Sequence, residues 1–370
     1  MSRKVGILTF HRAINYGAVL QTYALQQAIA RISPDIDVKV IDYRCPAIES
    51  TREPKMASSR RGFLSSTMLN CLHHPFRVKR QQKFDTFVQR SLSLTQAYSR
   101  DELGALNDDF NCLVSGSDQV WNPRITHGDS SFFLDFADGP QRVSYAASFG
   151  SVALPEISQP WARRLLRHLD VVSVREKSAA DIVESLNGKR PSVTIDPTLL
   201  LTREDWSTIA KLPRNLTGER YILIYNMVST DHLIGFARKL ARATGCKLRL
   251  IGMGFRHNDI SHVRTVGPDE FIGLFQNAEF VVCNSFHGVA FSINFERPFF
   301  TETIDATGKI NARVQNLLEI TGLENRALQQ GHFSGDLSDK NNIDWQEVRI
   351  CLDAARQASI DFLRSTIGVC

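Results

Sequence analysis

Short apolar runs alternate with helical patterns along most of this chain, and the alternation happens twice. In the first stretch Val5–Phe10 reads as a strand, Ala18–Ile32 carries a helical pattern through Leu20, Tyr23, Ala24 and Ala28, and Val38–Asp42 is the next strand. Asn111–Ser115, Val143–Phe149, Val171–Val174 and Val193–Asp196 read as further strands, with helices expected around Trp161–His168 and Ser178–Leu186. Strands of this kind separated by helices argue for a mainly parallel, doubly wound sheet. The polar stretch Lys211–Arg220, with Pro213 and Gly218, reads as a linker. A second alternation follows it: strand Tyr221–Asn226, helix Asp231–Thr244, strand Lys247–Gly252, helix Asp269–Asn277, strand Phe280–Cys283 and a helix after Gly288.

The expected fold class is therefore α/β, with two Rossmann-like doubly wound domains facing a cleft in a GT-B-like arrangement. At 370 residues the chain is too long for one ordinary core, which agrees with two domains. The boundaries fall at 1–210 and 219–340. The amphipathic pattern Asp344–Ile367, with Val348, Leu352, Ala355, Ile360 and Leu363 towards one face, makes 341–370 a terminal helix that crosses back to the first domain.

Composition narrows the function classes. No window approaches the ~20 consecutive apolar residues of a membrane span. Val5–Phe10 is followed directly by His11 and Arg12 and is too short for a signal peptide. Seven scattered cysteines, never spaced as C-x-x-C, argue against a disulfide framework or zinc site and for a reducing cytoplasm. A net charge of +5 permits anionic ligands, and no nucleic-acid-binding motif is present. Residues 46–83 break the alternation by mixing Arg52, Lys55, Arg60, Arg61, Arg77, Lys79, Arg80 and Lys83 with Phe63, Leu64, Met68, Leu69, Leu72 and Phe76. This is either a solvated insertion packed on the first domain or a basic amphipathic dock for an anionic bilayer or lipid diphosphate.

The chemistry-bearing residues cluster after strands. Phe280–Cys283 runs into Asn284-Ser285-Phe286-His287-Gly288 and a helix, which puts an imidazole and free backbone N–H groups at the carboxyl end of a parallel strand. A helix N-terminus there favours an anion, and ligands of open α/β sheets bind at that edge. The competing reading of His287 is a core histidine bonded to backbone. Asn15-Tyr16-Gly17-Ala18 lies between the first strand and helix, where Asn15 can cap the helix and Gly17 can let a ligand approach, or the segment is a plain turn. Ser117, Asp118, Gln119 and Trp121 in Gly116–Pro123 resemble a sugar-facing loop, with Asp118 to accept a hydroxyl proton and Trp121 to stack on a pyranose; a helix cap or a core role is the alternative. Arg175 offers a fork that matches a carboxylate or phosphate, or a surface ion pair. Pro197 holds Asp196 extended, which reads as structural. Lys309 and Arg313 can add positive charge to the same cleft. No metal-ligand cluster stands out, so no metal and no cofactor is expected.

Five motifs in register resemble one family. Ile7-Leu8-Thr9-Phe10 with Asn15-Tyr16-Gly17-Ala18, Gly116-Ser117-Asp118-Gln119-Val120-Trp121, Ser173-Val174-Arg175-Glu176, Asp196-Pro197-Thr198-Leu199-Leu200 and Asn284-Ser285-Phe286-His287-Gly288 are similar to the polysaccharide pyruvyl transferases. The resemblance implies transfer of the enolpyruvyl unit of phosphoenolpyruvate onto a sugar to give a pyruvate ketal, in capsule or exopolysaccharide synthesis. It makes 1–210 the acceptor side, with Asn15, Tyr16, Gly17, Ser117, Gln119 and Trp121 at the acceptor. By motif match it implies that Arg175 and His287 are donor-site residues. With 219–340 as the expected donor side, Ser285, Gly288, Lys309 and Arg313 are the further donor candidates, His287 the expected acid and Asp118 the expected base. The family's tighter motif carries Arg where this chain has Ser285. The implied partners are phosphoenolpyruvate and a polyprenyl-diphosphate-linked sugar, at the inner face of the plasma membrane, with 46–83 touching anionic lipid. The alternatives are a sugar-nucleotide glycosyltransferase on the same fold and a non-catalytic carbohydrate-binding relative.

Overall fold

The computed structural model describes residues 2–52, 60–227, 231–252, 258–303, 311–328 and 341–368, without the side chains of 60–73. The first alternation builds a seven-stranded sheet from β1 (Arg3–Leu8), β2 (Ile36–Tyr43), β3 (Leu94–Tyr98), β4 (Cys112–Ser115), β5 (Gln141–Ala147), β6 (Val171–Val174) and β7 (Ser192–Val193), in the order β3-β2-β1-β4-β5-β6-β7. Every paired neighbour is parallel. Its longer helices are α1 (Tyr16–Ala30), α2 (Arg60–Ser91), α3 (Gln159–Leu166) and α4 (Lys177–Asn187). The second alternation builds a six-stranded parallel sheet from β8 (Tyr221–Asn226), β9 (Lys247–Gly252), β10 (Ile260–His262), β11 (Phe280–Cys283), β12 (Phe299–Glu302) and β13 (Ala327–Leu328), in the order β10-β9-β8-β11-β12-β13. Around it lie α5 (Asp231–Thr244), α6 (Pro268–Asn277), α7 (Phe286–Asn294) and α8 (Ala312–Thr321), and α9 (Trp345–Ile367) closes the chain. This is the two-unit, Rossmann-like, GT-B-like fold that the alternation implies.

Strand order reverses between β1 and β4 in one sheet and between β8 and β11 in the other, and such switch points are where open sheets hold ligands. The two units meet along a continuous apolar seam. Tyr16 of α1 stacks on Phe271 of α6 with centroids 4.3 Å apart, and its hydroxyl donates to Val266 O. Trp206 meets Tyr23 on one side and Phe291 of α7 on the other. The terminal helix α9 binds back on the first unit: Ser359 Oγ accepts from Ile195 N, Arg356 Nε donates to Leu199 O, and Phe362 packs on Tyr145.

The basic segment 46–83 leads into α2, which straps the seam from outside. Phe84 and Phe87 are buried in the shared core, Lys83 pairs with Glu270 at 2.6 Å, and Arg90 pairs with Asp269. Arg80 lies over the rings of Tyr16 and Phe84, and Arg77 donates to Arg52 O. Phe76, Val78 and Lys79 remain exposed, whereas Lys55, Phe63, Leu64, Met68, Leu69 and Leu72 lie outside the described residues or side chains. No helix among the described residues is long and apolar enough to cross a membrane.

Candidate functional site

Polar residues gather where the carboxyl ends of the first sheet face the second unit. Arg175 follows β6 and is 3% exposed. Its Nη1 donates to Asp196 Oδ2 at 2.8 Å, its Nη2 donates to Asp118 Oδ1 at 3.3 Å, and its Nε lies 3.6 Å from Glu176 Oε2. Burial alone draws the guanidinium's pKa down, but Asp118, Asp196 and Glu176 outweigh it and raise it. Arg175 is thus a fixed cation held by three carboxyls. Asp118 has φ of 76°, a left-handed conformation that costs a side-chain-bearing residue energy and is held here by its bridge to Ala147.

Asp196 is the hub. Pro197 keeps it extended, and Oδ1 accepts from Thr198 N at 3.0 Å and Thr198 Oγ1 at 2.7 Å. Oδ2 faces Arg175, the Ser117 hydroxyl at 3.4 Å and His287 Nε2 at 3.7 Å. Burial pushes this carboxyl up, yet His287, Arg175 and the Thr198 N–H together hold it below the usual range. Glu176 behaves oppositely. Burial dominates and raises its pKa, against the pull of Arg175, the Ser148 hydroxyl bonded to Oε1 and the nearby Arg313.

The second unit brings His287. Asn284 pins the switch point, its Nδ2 donating to Asn226 Oδ1 and its Oδ1 accepting from Met227 N, both at 2.8 Å. Helix α7 starts at Phe286, two residues earlier than Gly288 suggests, because Ser285 takes the extended N-cap conformation without a side-chain cap bond. His287 therefore lies in the first helical turn. It is 7% exposed and its Nε2 is buried without a hydrogen-bond partner. Its ring leans on the first unit, since a Cβ at Gly17 would lie 1.9 Å from His287 Nδ1. Arg313, in the first turn of α8, is half-buried and makes no hydrogen bond or ion pair among the described residues. Burial and then Arg175 lower its pKa, while Asp118, Glu176 and Asp196 oppose them.

The structure sorts the sequence candidates. It gathers Asp118, Arg175, His287, Arg313 and Ser117 into one cluster, and adds Asp196 and Glu176, which sequence reasoning left out of the site. The structure gives several acceptor and donor candidates structural contacts instead. Trp121 is fully buried, stacked on Phe133 at 5.0 Å with Nε1 donating to Phe132 O, so no face is left for a sugar. Tyr16 is seam core, and Gly17 admits the His287 ring rather than a ligand. Gly288 lets α7 pack on Cys283 and Tyr225, where a Cβ would meet Cys283 Sγ at 2.9 Å. Asn15 caps α1, accepting from Ala18 N at 3.3 Å. Ser117 is buried, its hydroxyl donating to Ala146 O, and Gln119 accepts from Asn122. Arg175 is enclosed by carboxylates instead of presenting an open fork. Ser285 is half-buried beside this cluster, and Lys309 lies outside the described residues. The signal for the missed pair was present in the sequence: Glu176 and Asp196, like Asp118 and Arg175, stand just beyond the ends of neighbouring strands. Among the described residues no group of three or more His, Cys, Asp or Glu is placed to hold a metal ion.

A family model described as polysaccharide pyruvyl transferase matches residues 15–305, a span that contains all of this cluster except Arg313. The chain belongs to the polysaccharide pyruvyl transferase family. As a member of a transferase family it is an enzyme. No curated protein is detectably similar in sequence. Among solved structures, the UDP-GlcNAc 2-epimerase of Methanocaldococcus jannaschii is similar with a TM-score of 0.50 and 12% identity, over 99% of each chain. The S. aureus protein MnaA, solved with UDP, is similar with a TM-score of 0.52 and 10% identity, over 98% of this chain and 96% of that one. At such identities the likeness describes the fold alone.

Proposed function

We propose that this polysaccharide pyruvyl transferase takes the enolpyruvyl unit of phosphoenolpyruvate and forms a pyruvate ketal across two hydroxyls of a sugar acceptor. The observation that carries the reading is the buried Nε2 of His287, which has no hydrogen-bond partner and lies 3.7 Å from the Asp196 carboxylate that also holds Arg175. Imidazole is the side chain suited to giving a proton near neutral pH. As an imidazolium, His287 is stabilised by the Asp196 carboxylate and protonates the methylene carbon of the donor. C2 becomes electrophilic and one acceptor hydroxyl adds, losing its proton to Asp118. The C2–O bond to phosphate then breaks, phosphate leaves, and the second hydroxyl closes the ketal. Of the two hydroxyl protons released, one replaces the proton delivered to carbon and the other leaves with phosphate. Arg313 meets the donor's negative charge, and Arg175 fixes Asp118 and Asp196 around the reacting atoms.

The acceptor class we assign is a polyprenyl-diphosphate-linked sugar at the cytoplasmic face of the membrane, in capsule or exopolysaccharide synthesis. Among the described side chains of the basic segment, exposed Phe76, Val78 and Lys79 are available to touch anionic lipid, whereas Arg80 and Lys83 hold the seam and Arg77 bonds Arg52 O. The test is phosphate release from phosphoenolpyruvate with lipid-linked sugar, using wild type and His287→Gln of matching circular dichroism. General acid–base catalysis of this kind is worth about 10²–10⁴-fold in turnover. A folded variant that keeps wild-type turnover sinks the assignment, as does a protein that releases no phosphate and is instead thermally stabilised by uridine or guanosine diphosphosugars.

A further inference from the structure

Two helix N-termini point at one small cavity beside the carboxylate cluster. The cavity measures about 40 Å³ and is lined by Gly150, Glu176, Ser178, Asn311 and Arg313, among others. That is room for roughly two or three waters, or for one tetrahedral oxyanion in their place. Helix α4 begins at Lys177 with Glu176 as its N-cap, and α8 begins at Ala312 with Asn311 as its N-cap. Neither cap residue makes a side-chain cap bond, and neither first turn carries an acidic residue. The first N–H groups of a helix have no intrahelical acceptor, and its dipole favours negative charge there.

Uncapped helices alone do not make a site, but the side chains here are also unsatisfied. Glu176 is 1% exposed and lines the cavity, and its Oε2 is buried without a hydrogen-bond partner, its nearest charge being Arg175 Nε at 3.6 Å. Ser178 Oγ and Asn311 Oδ1 are likewise buried without partners. Arg313 contributes a guanidinium with no partner among the described residues. Buried polar groups are ordinarily paired, so donors and acceptors left unpaired around one cavity are available to a ligand there.

We propose that this cavity is a phosphate subsite, in which a phosphate or phosphomonoester is held between the N-termini of α4 and α8 by Arg313, the Ser178 hydroxyl and Glu176. Glu176 acts there as a carboxylic acid whose O–H donates to a phosphate oxygen, and burial favours that neutral form. A charged carboxylate in the same place would repel the ligand. The identity of the phosphate rests on the donor reading above: it is the phosphoryl group of phosphoenolpyruvate and then the inorganic phosphate that leaves.

The experiment is titration of the full chain with inorganic phosphate, followed by calorimetry and phosphorus NMR line width, with phosphoenolpyruvate as competitor. Wild type is expected to bind phosphate, Arg313→Gln to lose about tenfold or more in affinity, and Ser178→Ala about threefold. Glu176→Gln retains a neutral donor and is expected to stay within about threefold of wild type. Ser178→Ala removes only a hydroxyl, so it reports on the subsite even if the arginine variant folds poorly. Absence of phosphate binding by wild type, or unchanged affinity in both Arg313→Gln and Ser178→Ala, overturns the subsite. Phosphate binding that these variants weaken but phosphoenolpyruvate does not displace keeps the subsite and sinks the donor reading.

Discussion

The two walls of the site are built on opposite principles. On the first unit the central charge is enclosed: Arg175 is locked among Asp118, Asp196 and Glu176, and Asp196 is bonded again by Thr198. On the second unit, His287 Nε2 and the Arg313 guanidinium make no hydrogen bonds to the described residues. One wall is largely an electrostatic frame fixed by folding, and the other carries side chains that folding leaves without hydrogen bonds. Fold stability and ligand binding are therefore expected to separate by wall.

The largest stability effect tests that separation. Arg175→Ala strands three buried carboxyls, and removing one partner of a buried ion pair costs about 3–5 kcal/mol. Arg313→Gln removes a half-buried, unpartnered group and is expected to cost less than about 1 kcal/mol. Urea unfolding of both variants measures the contrast, and equal losses break it. Next in size is Gly17→Ala, which puts a methyl where the His287 ring lies. It is expected to lower turnover about ten- to a hundredfold by misplacing the imidazole, with full activity in a folded variant showing that this contact is idle.

The smallest effect is a pH signature inside the first wall. The Asp196 pKa is lowered on folding, so its contribution is present above the unfolded value of about 3.9 and is lost as pH falls through the folded value. The Glu176 pKa is raised, so its contribution is present below about 4.3 and is lost as pH rises through the folded value. Asp196→Asn should therefore be less stable than wild type at neutral pH, with the gap narrowing below about pH 4. Glu176→Gln should be the more stable protein at neutral pH, with its advantage disappearing in acid. Urea midpoints measured across this range check both, and two variants that run parallel to wild type at every pH refute the opposed shifts.

Apolar runs alone placed much of the frame. Val171–Val174, Tyr221–Asn226, Lys247–Gly252 and Phe280–Cys283 are strands with those bounds, and Asp231–Thr244 is a helix with those bounds. Each is a nearly unbroken local pattern, so local sequence suffices. The start of α7 was misread because an extended Ser285 begins the helix without a side-chain cap. Trp121 is ambiguous in sequence for a different reason. An indole after a strand looks the same in sequence whether it meets a sugar or, as here, Phe133 and Phe149. Asp196 looked structural because Pro197 explains its backbone, whereas its other oxygen meets Arg175 and a histidine 91 positions later only once the two units have docked. Cluster residues at strand ends were legible as candidates. Their pairing was not, because it depends on contacts between distant segments.

The contact between Gly17 and His287 has a consequence for recombining this protein with relatives. A chimera that joins the first unit of one transferase to the second unit of another brings together a glycine and an imidazole from different parents. The two units thus cannot be exchanged as independent modules, and a graft must carry the matching helix start along with the histidine it supports.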